Sequence, residues 1–127
     1  MQLNKEDLEK AKEIQEFLEA NYQQRYGYQY LVKKFAVNRN KLKLAFATVT
    51  NDTIHAYLTK VRIEHAKKLL ETTNLNIESI AESVGLDRSN FNIQFKKATG
   101  QTPSGWRNDP PQTIEPDCFY FVQKRTI

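Results

Sequence analysis

The sequence predicts an all-α protein in which two similar helical units are joined by one long helix. The first observation is an internal repeat, in which apolar and helix-capping residues recur 49 positions apart without a gap. The second is that apolar residues within each copy are spaced by three and four positions, as on one face of a helix. The third is that residues suited to helix ends and tight turns separate these segments.

The repeat relates residues 31–57 to residues 80–106. Its pairs are Leu31 with Ile80, Phe35 with Val84, Val37 with Leu86, Arg39 with Arg88, Leu42 with Phe91, Phe46 with Phe95, Thr50 with Thr99, Thr53 with Thr102 and Tyr57 with Trp106. A single apolar pattern of this length fits any helical hairpin, so two copies are stronger evidence than one. We therefore predict one duplicated supersecondary unit.

Residues 74–107 carry the clearer copy. A short helix with one packed face is predicted by Ile80, Ala81 and Val84. Gly85 then supplies a residue suited to positive φ, and Leu86 closes the turn. The segment therefore begins as a helix followed by a tight turn.

A second helix is predicted to run from Arg88 to Gly100. Its inner face holds three apolar residues, which are Phe91, Phe95 and Ala98. Thr102 and Pro103 suit the cap and first residue of a third helix. A helix, a tight turn and a helix with an exposed polar face together form a helix-turn-helix.

These motifs, I-A-x-x-V-G-L and then F-x-x-x-F-K-K-x-T-G-x-T-P-x-x-W-R, resemble the second half of the DNA-binding domain of AraC-type bacterial transcription regulators. The resemblance covers about residues 28–107. It implies two helix-turn-helix (homeodomain-like) subdomains joined by a long linker helix, in which Arg62 and Ala66 occupy expected positions. Only 27 residues precede it, so both a small stand-alone regulator and the C-terminal part of a longer one stay open.

The resemblance also implies a function. The expected activity is sequence-specific binding of double-stranded DNA, with two recognition helices in successive major grooves and no cofactor. RNA polymerase is the further partner implied, the chain is expected to act as a monomer or weak dimer, and the expected location is the bacterial cytoplasm at the nucleoid. The alternative is a helical protein-interaction adaptor or a non-specific nucleic-acid binder that uses the same basic face.

The first copy departs from the family pattern at two positions. Val32 stands where alanine is usual, and Ala36 stands at a turn position that prefers glycine or asparagine. A left-handed alanine costs roughly 1 kcal/mol or more, so we expect an adjusted or strained turn. Asn51 corresponds to Gly100 and is the next best residue at a left-handed helix end.

The predicted division of the chain has four parts. Residues 1–51 hold an N-terminal support helix, capped by Asn4 and ending near Ala20, and the first helix-turn-helix. Residues 52–73 form the linker helix, residues 74–108 the second helix-turn-helix, and residues 109–127 a tail of unknown structure. A linker of this length measures about 28 Å, close to the separation of about 34 Å between successive major grooves on one side of DNA.

Two segments leave their roles open. Residues 22–30, YQQRYGYQY, suit either packing between the support helix and the first copy, which we favour, or stacking on bases. Phe119–Val122 in the tail, next to Cys118, suits a strand, a partner-binding patch or a segment folded back onto the domain, which we favour.

Charge and composition exclude several classes of protein. The net charge of +4 is uneven, because residues 28–107 hold thirteen basic and six acidic side chains. Between residues 28 and 51 there are five basic residues and no acid, which favours a polyanionic partner. One cysteine gives no intramolecular disulfide, no apolar run is long enough to span a bilayer, and the polar N-terminus is unlike a signal peptide.

Catalysis is not predicted. His55 and His65 lie ten residues apart on one helix, roughly 15 Å by helical rise, which is too far to share a metal. The sequence contains no cysteine pair, phosphate-binding glycine loop or serine nucleophile motif. We expect neither an enzyme nor a metal site.

The predicted contacts with DNA lie on the second helix of each copy and beside it. Contacts with bases are expected from Arg39, Asn40, Lys43, Leu44, Arg88, Ser89, Asn90, Asn92 and Ile93. Contacts with phosphates are expected from Lys33, Lys34, Lys41, Lys96 and Lys97. Gln94 stands where the family has an apolar residue and Ile93 where it has a polar one, so a rotated second helix is the alternative at this face.

Overall fold

Residues 2–24 and 26–110 are described by the structure, which is a computed structural model. All regular secondary structure within these ranges is helical. The helices are α1 (Lys5–Ala20), α2 (Tyr28–Phe35), α3 (Arg39–Thr50), α4 (Ile54–Thr72), α5 (Ile77–Ser83), α6 (Arg88–Thr99) and α7 (Pro103–Asn108). The all-α prediction, with two helix-turn-helix units joined by a long helix, is confirmed.

The support helix α1 begins with a capping box. The backbone N–H of Asp7 donates to Asn4 Oδ1 at 2.8 Å, and the backbone N–H of Asn4 donates to Asp7 Oδ2 at 3.0 Å. The inner face of α1 buries Ala11, Ile14 and Leu18, and the last two belong to the core of the first unit. The predicted covering role of α1 is therefore confirmed.

The internal repeat extends to individual hydrogen bonds. The hydroxyl of Thr50 donates to Phe46 O at 2.8 Å and accepts from the N–H of Asp52 at 3.1 Å. Thr99 does the same, 49 residues later, with Phe95 O at 2.8 Å and the N–H of Gln101 at 3.1 Å. The threonines thus tie the end of each second helix to the following loop in the same way.

Left-handed residues end the first two helices of the first unit and recur at the matching positions of the second. Ala36 (φ 54°) and Asn51 (φ 63°) follow α2 and α3, whereas Gly85 (φ 85°) and Gly100 (φ 84°) follow α5 and α6. Glycine adopts this conformation without a steric penalty, whereas alanine adopts it only at a steric cost. The turn after α2 is therefore strained, as expected from Ala36.

The linker helix α4 belongs to both units. Its first half contributes Ile54 and Leu58 to one core cluster, which also contains residues of α1, α2 and α3. Its second half contributes Ile63, Ala66 and Leu70 to a second cluster with α5 and α6. The burial of Ile63, which the sequence analysis did not anticipate, follows from this double role.

Three of the four tyrosines in the aromatic segment 22–30 are half-buried against the cores, as favoured, whereas Tyr30 is exposed. Tyr22 contacts both core clusters and stacks on His65, with ring centroids 3.9 Å apart. Tyr26 lies 5.1 Å from Phe17 between ring centroids. This segment therefore joins the support helix to both units.

Arg62 is a buried charged residue at the centre of α4, with 6% of its surface exposed. Its Nε donates to Tyr22 O at 2.8 Å and its Nη2 donates to Gln24 O at 2.7 Å. These bonds hold the α1–α2 loop against the linker helix, and the burial of the charge is offset by hydrogen bonding. The turn of the second unit closes on the same place, since an added Cβ on Gly85 would lie 2.6 Å from Gln23 O.

Arg107 plays a comparable part in the second unit. Its Nε donates to Leu70 O at 3.2 Å, and its other nitrogens donate to Leu75 O at 2.5 Å and Thr73 O at 3.2 Å. The end of α4 and the α4–α5 loop are thereby joined to α7. This role of Arg107 was not predicted, because the residue stands at the end of the sequence pattern.

The structure corrects one predicted core residue. Ala98 is exposed, although Phe91 and Phe95 on the same helix are buried. Ala98 lies about two turns after Phe91, so helical periodicity alone placed it on the core face, but its side chain is exposed. The tail segment Phe119–Val122 and Cys118 lie outside the described residues, so the expected fold-back stays a prediction.

Replacing Gly85 by alanine is expected to cost more stability than replacing Gly100. Both residues have positive φ, so an alanine at either position would be strained by about 1 kcal/mol or more. Only at Gly85 would the new Cβ meet backbone, whereas Gly100 has nothing within 4 Å. We expect Gly85→Ala to lower the free energy of unfolding by about 1–3 kcal/mol more than Gly100→Ala in urea titrations. Equal losses would contradict the contact between the turn and the loop.

Replacing Ala36 by glycine is expected to stabilise the protein. Relief of left-handed strain contributes about 1–2 kcal/mol and the greater entropy of the unfolded chain offsets about half of it. We expect a net gain of about 0.5–1 kcal/mol in the free energy of unfolding. Ala47→Gly within α3, where the backbone is helical, is the matched control and is expected to destabilise. A loss of stability in Ala36→Gly would contradict the strain.

Candidate nucleic-acid interface

The two predicted recognition helices are α3 and α6, and each starts at a side-chain cap. Asn38 Oδ1 accepts from the backbone N–H groups of Asn40 at 2.9 Å and Lys41 at 3.2 Å. At the matching position, Asp87 Oδ1 accepts from the N–H of Asn90 at 2.8 Å. These caps fix where each helix begins and therefore which side chains its first turn presents.

Core residues on the inner side set the rotation of each recognition helix. Leu42 and Phe46 anchor α3, and Phe91 and Phe95 anchor α6. The predicted base-contacting side chains Arg39, Asn40, Lys43, Leu44, Arg88, Ser89, Asn90 and Ile93 are exposed, and Asn92 is half-buried. Whether they contact bases stays a prediction.

Both recognition helices expose one large aliphatic side chain in the middle of a polar face. Leu44 is 42% exposed and its repeat partner Ile93 is 63% exposed. Gln94 is half-buried, so the structure places Ile93 on the outer side of α6 and Gln94 closer to the core. The exposed position of Ile93 does not fit the rotated alternative for this helix. An aliphatic side chain here is suited to contact a thymine methyl group.

The basic side chains of α3 lie against an aromatic ring from α2. Arg39 Cζ and Lys43 Nζ each lie 5.0 Å from the ring centroid of Tyr28. From the sequence, Tyr28 was favoured for packing, with base stacking as the alternative, and this contact was not predicted because a cation–π contact between two helices depends on the tertiary arrangement. One available signal was that Tyr28 opens the acid-free segment that also contains both cations.

The lysines predicted to contact phosphates differ in their surroundings. Lys33, Lys34, Lys96 and Lys97 are exposed, whereas Lys41 is half-buried. The Nζ of Lys41 lies 3.8 Å from Asp7 Oδ2 in α1. A phosphate contact by Lys41 therefore competes with this ion pair, which is partly solvated and weak.

The surroundings of α6 are more acidic than those of α3. Arg88 lines two surface depressions of about 410 and 380 Å³, and Glu78 lines both of them. Glu82 lines the second depression. In the first unit the repeat places Gln29 and Lys33 at the positions of these glutamates. This difference in charge was not predicted, although comparison of the two repeat copies already shows it.

The described ranges hold no group of three or more His, Cys, Asp or Glu side chains that is placed to bind a metal ion. His65 stacks on Tyr22, and His55 is exposed on the same helix. None of the described helices is long and apolar enough to cross a bilayer.

A protein family described as a helix-turn-helix domain matches residues 31–109. The HTH-type transcriptional activator RhaR of Escherichia coli is 41% identical over 68 residues, which are 53% of this chain and 24% of RhaR. The chain thus spans about a quarter of the length of the curated relatives it matches first.

Solved structures share the fold. The C-terminal domain of the two-component response regulator yesN from Fusobacterium nucleatum has a TM-score of 0.70 at 32% identity, covering 76% of this chain and 97% of that domain. The DNA-binding domain of AdpA, solved in complex with a target DNA, has a TM-score of 0.73 at 18% identity, covering 77% and 89%. The likeness to AdpA concerns the fold alone. The family match over more than half of the sequence and the repeated pair of capped recognition helices show that this chain belongs to the AraC-type helix-turn-helix family.

Proposed function

We propose that this chain binds double-stranded DNA at specific sequences and regulates transcription, with α3 and α6 in two successive major grooves. The observation that carries the proposal is the pair of exposed, capped helices mounted on one linker helix. The linker has 19 residues, about 28 Å, which is of the order of the groove repeat. The likeness to the activator RhaR supports the same function.

The proposed contacts with bases follow from side-chain chemistry. Arg39 and Arg88 are suited to donate two hydrogen bonds to guanine, and Asn40, Asn90 and Asn92 to bond the edge of adenine. Lys43 and Ser89 supply further donors, and Leu44 and Ile93 supply apolar contact with thymine. Lys33, Lys34, Lys41, Lys96 and Lys97 are assigned to phosphates, where they set position without selecting sequence.

Further partners and location are also proposals. Since one chain carries two recognition helices, it needs no second copy to contact two grooves, so we infer a monomer or weak dimer on DNA. RhaR is named an activator, and an activator acts on RNA polymerase, which is therefore the proposed protein partner. The chain would act at the bacterial nucleoid, as a binding protein rather than an enzyme.

A salt titration with two kinds of duplex tests the proposal. Duplexes enriched by the chain from a random-sequence pool are compared with scrambled duplexes of the same composition. We expect affinity to fall steeply with salt, since each neutralised phosphate contributes about −0.9 to the logarithmic slope, while a large preference for the enriched sequence persists. Salt-dependent binding without any preference would instead favour the non-specific binder, and no binding to DNA would favour the adaptor.

Single substitutions in α6 are expected to separate the two kinds of contact. Arg88→Ala should cost about 1–3 kcal/mol of binding free energy and relax selection at one base position. Lys97→Ala on the same helix is the matched control, because it should weaken all sequences alike and reduce the salt slope by about 1. Competition binding against single-base variants of the enriched duplex measures the affinity and the base selection of each variant. Uniform weakening by Arg88→Ala would contradict its assignment to a base.

A further inference from the structure

We propose that Tyr28 is a positioning residue for the first recognition helix, and that its ring holds Arg39 and Lys43 in place for base contact. This inference rests on the proposed function and adds a specificity-determining residue outside α3. It concerns the first unit alone, because the second unit has no equivalent ring.

The ring of Tyr28 is held by the protein core. Tyr28 is the first residue of α2, and it is a half-buried side chain that packs against the core cluster of the first unit. Arg39 Cζ and Lys43 Nζ both lie 5.0 Å from its centroid. Because Arg39 and Lys43 are four residues apart, they project from adjacent turns of one side of α3. One anchored ring therefore contacts both flexible cations.

Within the described residues, neither Arg39 nor Lys43 forms an ion pair, so the ring of Tyr28 is the main contact that restrains these two cations. Lys41 on the same helix pairs with Asp7, but no carboxylate lies within 4 Å of Arg39 or Lys43 among the described ion pairs. Long basic side chains lose conformational freedom when they bind. A ring that restrains them before binding reduces that loss, and the N–H donors on the side of each cation away from the ring stay available for base contact.

The second unit supplies an internal comparison. The repeat places Ile77 at the position of Tyr28, Arg88 at that of Arg39 and Asn92 at that of Lys43. Ile77 packs against the second core cluster but offers no π face. The fold thus accommodates an aliphatic side chain at this position, which makes Tyr28→Ile a conservative test of the ring.

The test measures binding to the duplexes enriched by the wild-type chain from a random-sequence pool. We expect Tyr28→Ile to weaken binding roughly three- to tenfold and to relax base selection only in the half-site bound by α3. Tyr28→Phe keeps the ring and is expected to bind within about twofold of the wild type. Ile77→Val, at the matching position of the second unit, is the control and should leave selection in the first half-site unchanged.

A double-mutant cycle separates positioning from packing. If the ring acts through the two cations, Tyr28→Ile should have no further effect on binding when Arg39 and Lys43 are both replaced by alanine. An undiminished effect in that background would overturn the inference. A loss in Tyr28→Phe equal to that in Tyr28→Ile would also overturn it, because the hydroxyl would then be responsible. Tighter binding by Tyr28→Ile would mean that the ring withholds the cations from DNA.

A measurement on the free wild-type chain does not depend on how the variants fold. Nuclear Overhauser effects are expected between the ring protons of Tyr28 and the side-chain protons of both Arg39 and Lys43, and their absence would overturn the inference. If the wild-type chain enriches no duplex, the proposed function fails and this inference with it. If it enriches duplexes and Tyr28→Ile binds them unchanged, the inference fails and the proposed function stands.

Discussion

The hydrogen bonds from the buried guanidinium of Arg62 fix how the two helix-turn-helix units sit on their shared helix. The loop carbonyls of Tyr22 and Gln24 accept these bonds at 2.8 and 2.7 Å. The loop is thereby held where Gly85, in the turn of the second unit, packs against it. An unsatisfied guanidinium here would be costly in the low-dielectric interior, so the loop and the arginine stabilise each other. A contact in the middle of the chain thus determines the relative placement of α3 and α6.

The duplicated unit is preserved in its backbone but has diverged on its surface. Both copies keep the capped recognition helix, the left-handed residues at the helix ends and the threonine that ties the helix to the next loop. Around α3 the neighbouring helix supplies Tyr28 and Lys33, whereas around α6 it supplies Ile77, Glu78 and Glu82. Basic residues favour approach to phosphates and acidic residues oppose it. The two units are therefore unequal in charge, although they share one architecture.

Much of this arrangement was predictable from the sequence, because helix caps and apolar spacing act locally. The repeat of 49 residues predicted the matching helices, and the start of α6 at Arg88 and its end before Gly100 agree with prediction. Tertiary features were not predictable in this way. Ala98 follows the periodicity of the core face but is exposed, and Ile63 is buried because α4 serves two cores. The contact of Tyr28 with Arg39 and Lys43 depends on how α2 packs on α3, which periodicity does not specify.

Residual dipolar couplings of the free chain test most directly whether the two units form one rigid body. Backbone N–H couplings from α2 and α3 define one alignment tensor, and those from α5 and α6 define another. Our account predicts that the two tensors agree in magnitude and orientation in the frame of the structure, because Arg62, the α1–α2 loop and Gly85 join the units. Tensors that differ in magnitude would show that the units move independently about α4 and would contradict the account.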